Sequence, residues 1–84
     1  MKYIVLEGPG GELPVLFPRE LMHRWVAERF APMRVVAAGF VADGPDGPTC
    51  HGVSSGLKIT SRPDRDTALL REALPEMEEG DGWR

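Results

Sequence analysis

"MRVVAAGFVA", residues 33–42, is the most strand-like segment of the chain, and it is apolar at odd and even positions alike. Side chains alternate between the two faces of a strand, so a segment apolar on both belongs in the middle of a sheet. On its C-terminal side, "DGPDGP" (43–48) is a dense turn signal. "TCHGVSSGLKIT" (49–60) then returns as one strand, and Gly52 and Gly56 inside it mark a bulge or a close backbone approach.

On the N-terminal side, "PRELMHRWVAERF" (18–30) changes period. Leu21, Met22, Trp25, Val26 and Phe30 fall at three- and four-residue spacing, with Glu20, Arg24 and Glu28 opposite, in i, i+4 pairing positions. The spacing predicts a helix that begins at Pro18, where a missing N–H costs nothing, and ends at Ala31-Pro32. Before it, "KYIVL" (2–6), the turn "EGPGGE" (7–12) and "LPVLF" (13–17) form a hairpin. Pro14 lacks an N–H for a ladder, which puts the second strand at a sheet edge or turns the Pro14 N side outward.

"SRPDRDTALLREAL" (61–74) is a second helix. Pro63 sits near its first position, Asp64 and Asp66 in its first turn, and Leu69, Leu70, Ala73 and Leu74 make its apolar stripe. Pro75 stops or bends it. The order is β-β-α-β-β-α. It predicts an α+β two-layer sandwich: a four-stranded, mostly antiparallel sheet with both helices on one face and the other face open. Trp25, Phe30, Phe17 and Phe40 are the expected heavy core residues. Residues 1–74 form one domain, and 75–84 an acidic C-terminal tail.

The chain has 84 residues, 42% of them apolar and 27% charged, an ordinary globular composition. Residues 1–74 carry equal numbers of acids and bases. The net charge of −3 therefore resides in "PEMEEGDGWR", where Glu76, Glu78, Glu79 and Asp81 oppose Arg84. A neutral body argues against direct nucleic-acid binding, which rests on phosphate neutralisation. Arg19, Arg24, Arg29 and Arg34 recur every five residues and do not line one helix face. No stretch is long and apolar enough for a membrane span, and the first residues do not form a secretory signal. The lone Cys50 excludes an internal disulfide and fits a reducing cytoplasm.

Cys50 and His51 are adjacent, so on a strand they point to opposite faces and cannot act as nucleophile and base; Cys50 is read as a core residue. His23 is read as a surface or half-buried residue. One Cys and two His without ligand spacing fall short of a metal site, and "VSSGLK" (53–58) lacks the length and following helix of a phosphate loop. The chain is read as non-enzymatic, with no cofactor and no metal. Two surfaces remain as candidate partner-binding sites: the tail, with Glu76, Glu78, Glu79 and Asp81 around Met77 and Trp83, and the acids Asp64 and Asp66 at the start of the second helix.

"MKYIVLEGPGGELPVLFP", "AGFV" and "GLKITSRPDRDTALLREAL" together resemble small proteins carried by bacteriophages and prophages, and the chain is similar in kind to anti-CRISPR proteins. The resemblance implies a small cytoplasmic inhibitor in the bacterial host cell. It would bind a CRISPR effector subunit, blocking target-DNA binding or nuclease recruitment, with carboxylates meeting the effector's Arg and Lys. The alternative expectation is a phage structural or assembly protein, or a self-associating module. Either can be a monomer or a small homo-oligomer.

Overall fold

A computed structural model describes residues 1–79, with side chains through residue 73. The apolar run becomes β3 (Arg34–Gly44), an interior strand. It pairs antiparallel with β1 (Lys2–Gly8) on one side and β4 (Gly47–His51) on the other. β2 (Gly11–Phe17) lies outside β1, giving the order β2-β1-β3-β4 with every pairing antiparallel. Pro14 is on an edge strand, as its missing N–H requires. Two-residue loops, Pro9-Gly10 and Pro45-Asp46, close the β1–β2 and β3–β4 hairpins.

The layers differ from the expectation. Tyr3, Val5, Ala37 and Cys50 pack with Leu70 of α2 (Pro63–Glu79) on one face of the sheet. Ile4, Leu6, Phe17 and Ala38 pack with Val26 of α1 (His23–Arg29) on the other. The helices therefore lie on opposite faces, and neither face is open. The cause is in β1 and β3: Tyr3, Ile4, Val5 and Leu6 are all buried, and a strand apolar on both parities needs cover on both sides.

The returning strand expected over 49–60 is also divided. Gly52, with φ +83°, turns the chain out of the sheet after His51, a conformation that L side chains resist. A short antiparallel ribbon follows, β5 (Val53–Ser54) with β6 (Ile59–Thr60). Leu57 and Ile59 pack onto the Ile4–Ala38 cluster, so the ribbon completes the α1 side. The order is β-β-α-β-β-β-β-α.

α1 is shorter than the periodicity predicts. Pro18 and Leu21 close a turn, Leu21 N–H to Pro18 carbonyl at 3.1 Å, and Met22 is extended with φ −84° and ψ 138°. No side chain caps the helix at Met22, which removes a stabilisation of about 1 kcal/mol that a Ser or Asp there would give. The apolar stripe splits as a result. Val26 is buried and Phe30 half-buried, but Leu21, Met22 and Trp25 are exposed. Trp25 is not a core residue; Arg29 lies over its ring, 4.5 Å from the centroid. Of the other aromatics, Phe17 is buried and Phe40 half-buried.

α2 starts at Pro63, as expected, but does not stop at Pro75; its backbone is helical to Glu79. A proline inside a helix removes one N–H bond, here to the Arg71 carbonyl, and need not end it. Glu76, Glu78 and Glu79 thus fall within the helical backbone, while Asp81 and Trp83 lie outside the described residues. Among the described residues no helix is long and apolar enough to cross a membrane.

Candidate functional site

The start of α2 holds most of the buried charge. Asp66 is 1% exposed and accepts hydrogen bonds from the Tyr3 hydroxyl, the Arg62 backbone N–H at 2.7 Å and Arg62 Nε at 3.0 Å. Arg62 grips Glu12 with both terminal nitrogens at 3.0 Å, and Arg65 adds contacts of 3.2 and 2.9 Å to the same carboxylate. Two acids and two bases thus tie β1, β2 and α2 together in a neutral cluster. Bidentate guanidinium–carboxylate geometry makes these the strong kind of charged hydrogen bond. The pairing with Arg62 holds Glu12 below the usual carboxylate range. Burial, then the bond to Asp66, pushes the Tyr3 phenol well above its ordinary value.

Asp66 has no surface from which to meet a partner. Of the two first-turn acids only Asp64 is exposed. The difference was legible: Asp66, Leu70 and Ala73 follow helical spacing, and a carboxylate within an apolar stripe marks a buried, paired charge.

Cys50 is 3% exposed, and burial pushes its thiol up, away from the nucleophilic form. His51 points to the opposite face, stacked on Phe40 with ring centroids 5.9 Å apart. His23 is not a surface residue. It is 6% exposed, edge-on to Phe17 and Phe40 at 5.4 Å each, with Nε2 2.7 Å from the Gly39 carbonyl. A carbonyl only accepts, so Nε2 carries the proton. Burial lowers the affinity of the ring for a second one. Among the described residues no group of three His, Cys, Asp or Glu side chains gathers where it could share a metal ion.

The outer edge of β4 is closed by α2 and the chain leading into it. Arg71 Nε donates to the Pro48 carbonyl at 3.1 Å, the Cys50 N–H donates to Thr67 Oγ1 at 2.9 Å, and the Ser61 N–H donates to the Gly52 carbonyl at 3.0 Å. A strand whose outward groups are taken is a poor template for another chain.

Among the described residues, clefts of about 350 and 420 Å³ lie along α2, and a further pair lies on the α1 side. Two adjoining clefts, of about 250 and 320 Å³, share Lys2 and Phe40 as common walls. Met22, Arg24 and Val53 line one, Arg19 and His51 the other, and among the described residues no carboxylate lines either. Met22 is 64% exposed and Val53 56%, and Trp25, 46% exposed, lies one turn on along α1. The three cations, Lys2, Arg19 and Arg24, come from β1, the turn before α1 and α1 itself, so no local pattern in the sequence announces the cleft. Comparison with known proteins finds no matching family model, curated protein or solved structure.

Proposed function

We propose that this chain is a non-enzymatic phage or mobile-element protein that inhibits a host defence complex in the bacterial cytoplasm. It does so by direct protein contact, in the manner of anti-CRISPR proteins, blocking target-DNA binding or nuclease recruitment by a CRISPR effector. The observation that carries the reading is the α1 side, where exposed Met22 and Val53 line one cleft and Trp25, one turn on from Met22, is 46% exposed. Large apolar side chains grouped on a surface mark interaction sites, and tryptophan is the commonest energetic anchor in interfaces. One side of an ordinary interface needs about 800 Å², a modest part of the 5590 Å² this chain exposes. Asp64, with the acids at 76–81, supplies the charge that meets an effector's Arg and Lys and orients the encounter.

The test is a tagged pull-down of type I CRISPR effector complexes from bacterial lysate, with the full chain and its Trp25→Ala variant side by side. A stoichiometric effector subunit held by the full chain and lost in the variant is the expected result. An empty lane at adequate protein concentration removes the reading for those effectors.

A further inference from the structure

We propose that the cleft pair around Lys2 and Phe40 receives the acidic C-terminal segment, residues 76–83, of a second copy of this chain. The proposal does not rest on the inhibitor reading, and because both use Met22, Val53 and the acids at 76–81, an effector would bind in competition with the second copy.

Among the described residues the arginines divide sharply. Arg29 covers Trp25, Arg34 pairs with Glu7, Arg62 and Arg65 hold Glu12, and Arg71 caps Pro48. Arg19 and Arg24 are exposed, make no hydrogen bond or ion pair among the described residues, and line the two adjoining clefts. Lys2 stands between them. It donates one of its three N–H groups to the Leu21 carbonyl at 2.8 Å, leaving two for an incoming acceptor. Among the described residues the site thus presents three cations, no carboxylate, and apolar contacts from Phe40, Met22 and Val53.

The complement is in the chain itself. "EMEEGDGW" places four carboxylates within six residues, with Met77 among them and Trp83 two positions after the last. Its charge matches the three cations, and its two large apolar side chains match the apolar part of the cleft. Matched charge fixes register while the apolar anchors supply most of the affinity.

Topology selects a second copy over the chain's own tail. α2 packs on the Tyr3–Val5 face and its backbone is helical to Glu79, whereas Lys2, Phe40 and His51 belong to the Ile4–Ala38 face. The helix that leads into the acidic segment thus packs, at Leu70, on the opposite face of its own sheet from the cleft, a constraint that a neighbour's segment does not share. Two such contacts made reciprocally close a two-fold dimer.

The experiment is sedimentation velocity on the full chain over a concentration series, at low and high salt. The expected result is a mass rising above the 9.2 kDa monomer at low salt and falling back at high salt. Arg19→Glu with Arg24→Glu, both at exposed positions, should weaken association roughly tenfold, and Glu78→Lys with Glu79→Lys by a similar factor. Circular dichroism of each double variant establishes that it is folded. Mixing the two variants should restore association, because each now complements the other. A monomer under all conditions overturns the proposal, as does association unaffected by either double variant. Binding of a single-stranded oligonucleotide at the cleft, with no response to a synthetic peptide of residues 75–84, also overturns it.

Discussion

Asp66 lies beneath Tyr3 and accepts its hydroxyl, although the two are separated by 63 positions in sequence. That contact fixes α2 on β1, and the same carboxylate holds the Arg62 N–H at the start of the helix. Replacing Asp66 by Ala would leave the buried Tyr3 hydroxyl unpaired and release one side of Arg62. A loss of about 3 kcal/mol is expected, because removing one partner of a buried charged network strands the others. Tyr3→Phe keeps the Arg62–Asp66 pair and should cost about 1–2 kcal/mol. Urea unfolding of the three proteins checks both; equal stability of all three would mean that α2 is held by its apolar contacts alone.

The same cluster gives stability a defined pH range. Tyr3 is raised, so its contribution is fully present below the ordinary phenol value of about 10 and is lost as pH climbs beyond it. Glu12 is lowered, so its contribution is present above the ordinary carboxylate value of about 4.3 and is lost as pH falls through the depressed one. Thermal unfolding midpoints should fall at both extremes. In Glu12→Gln the acid limb should flatten while the alkaline limb stays. An unchanged acid limb in that variant would place the acid sensitivity in other carboxylates.

Much of the fold was legible because it depends on short-range pattern. The hairpin over 2–17, the interior position of β3, the edge position of β2 and the start of α2 at Pro63 follow from parity, turn residues and proline. What failed depends on tertiary context. Apolar residues on both parities of β1 and β3 call for two covering layers, and the layer count follows from reading both strands together rather than from either helix. Trp25 sits in a periodic stripe, but periodicity does not reveal that the helix begins only at His23. The clefts share no local signal at all, since Lys2, Arg19, Arg24 and His51 meet only after folding.

Cys50 should behave as a core residue. It is buried against Tyr3, Val5, Ala37 and Leu70, and its thiol is pushed up by that burial. Labelling by a thiol reagent at neutral pH should be slow in the native protein and rapid in denaturant, following the population of the open form. Cys50→Ser puts a hydroxyl into the apolar cluster and should cost about 1–3 kcal/mol, while leaving partner binding by the folded protein intact. Rapid native labelling would show that the α2 layer opens readily.

His23 should titrate below its ordinary value of about 6.5. Burial is the main cause. The charge of Lys2 acts in the same direction, and the hydrogen bond to Gly39 opposes it. The neutral ring is the form that fits between Phe17 and Phe40, so its contribution is present above that ordinary value and is lost as pH falls through the lowered one. The measurement is the imidazole proton shift by NMR, assigned by comparison with His51→Gln. A midpoint at or above the ordinary value would mean that His23 reaches water and that the α1 layer is looser than its packing indicates.

Gly39 and Gly52 mark where the backbone itself limits the sequence. A Cβ on Gly39 would collide with the His51 carbonyl oxygen and crowd Ser61 and Tyr3 at 3.1 and 3.3 Å. One on Gly52 would meet the Phe40 ring at 2.9 Å and carry a side chain at φ +83°. Two of these neighbours cannot yield cheaply: the His51 carbonyl is backbone, and Tyr3 is tied to Asp66. Gly39→Ala should therefore cost about 2–3 kcal/mol through forced movement of β4. Gly52→Ala should cost about 1–3 kcal/mol, from backbone strain and displacement of Phe40, and should alter the cleft that Phe40 walls. Denaturant unfolding gives both values. If Gly39→Ala were as stable as the parent, β3 and β4 could not approach as closely at this point as the structure places them.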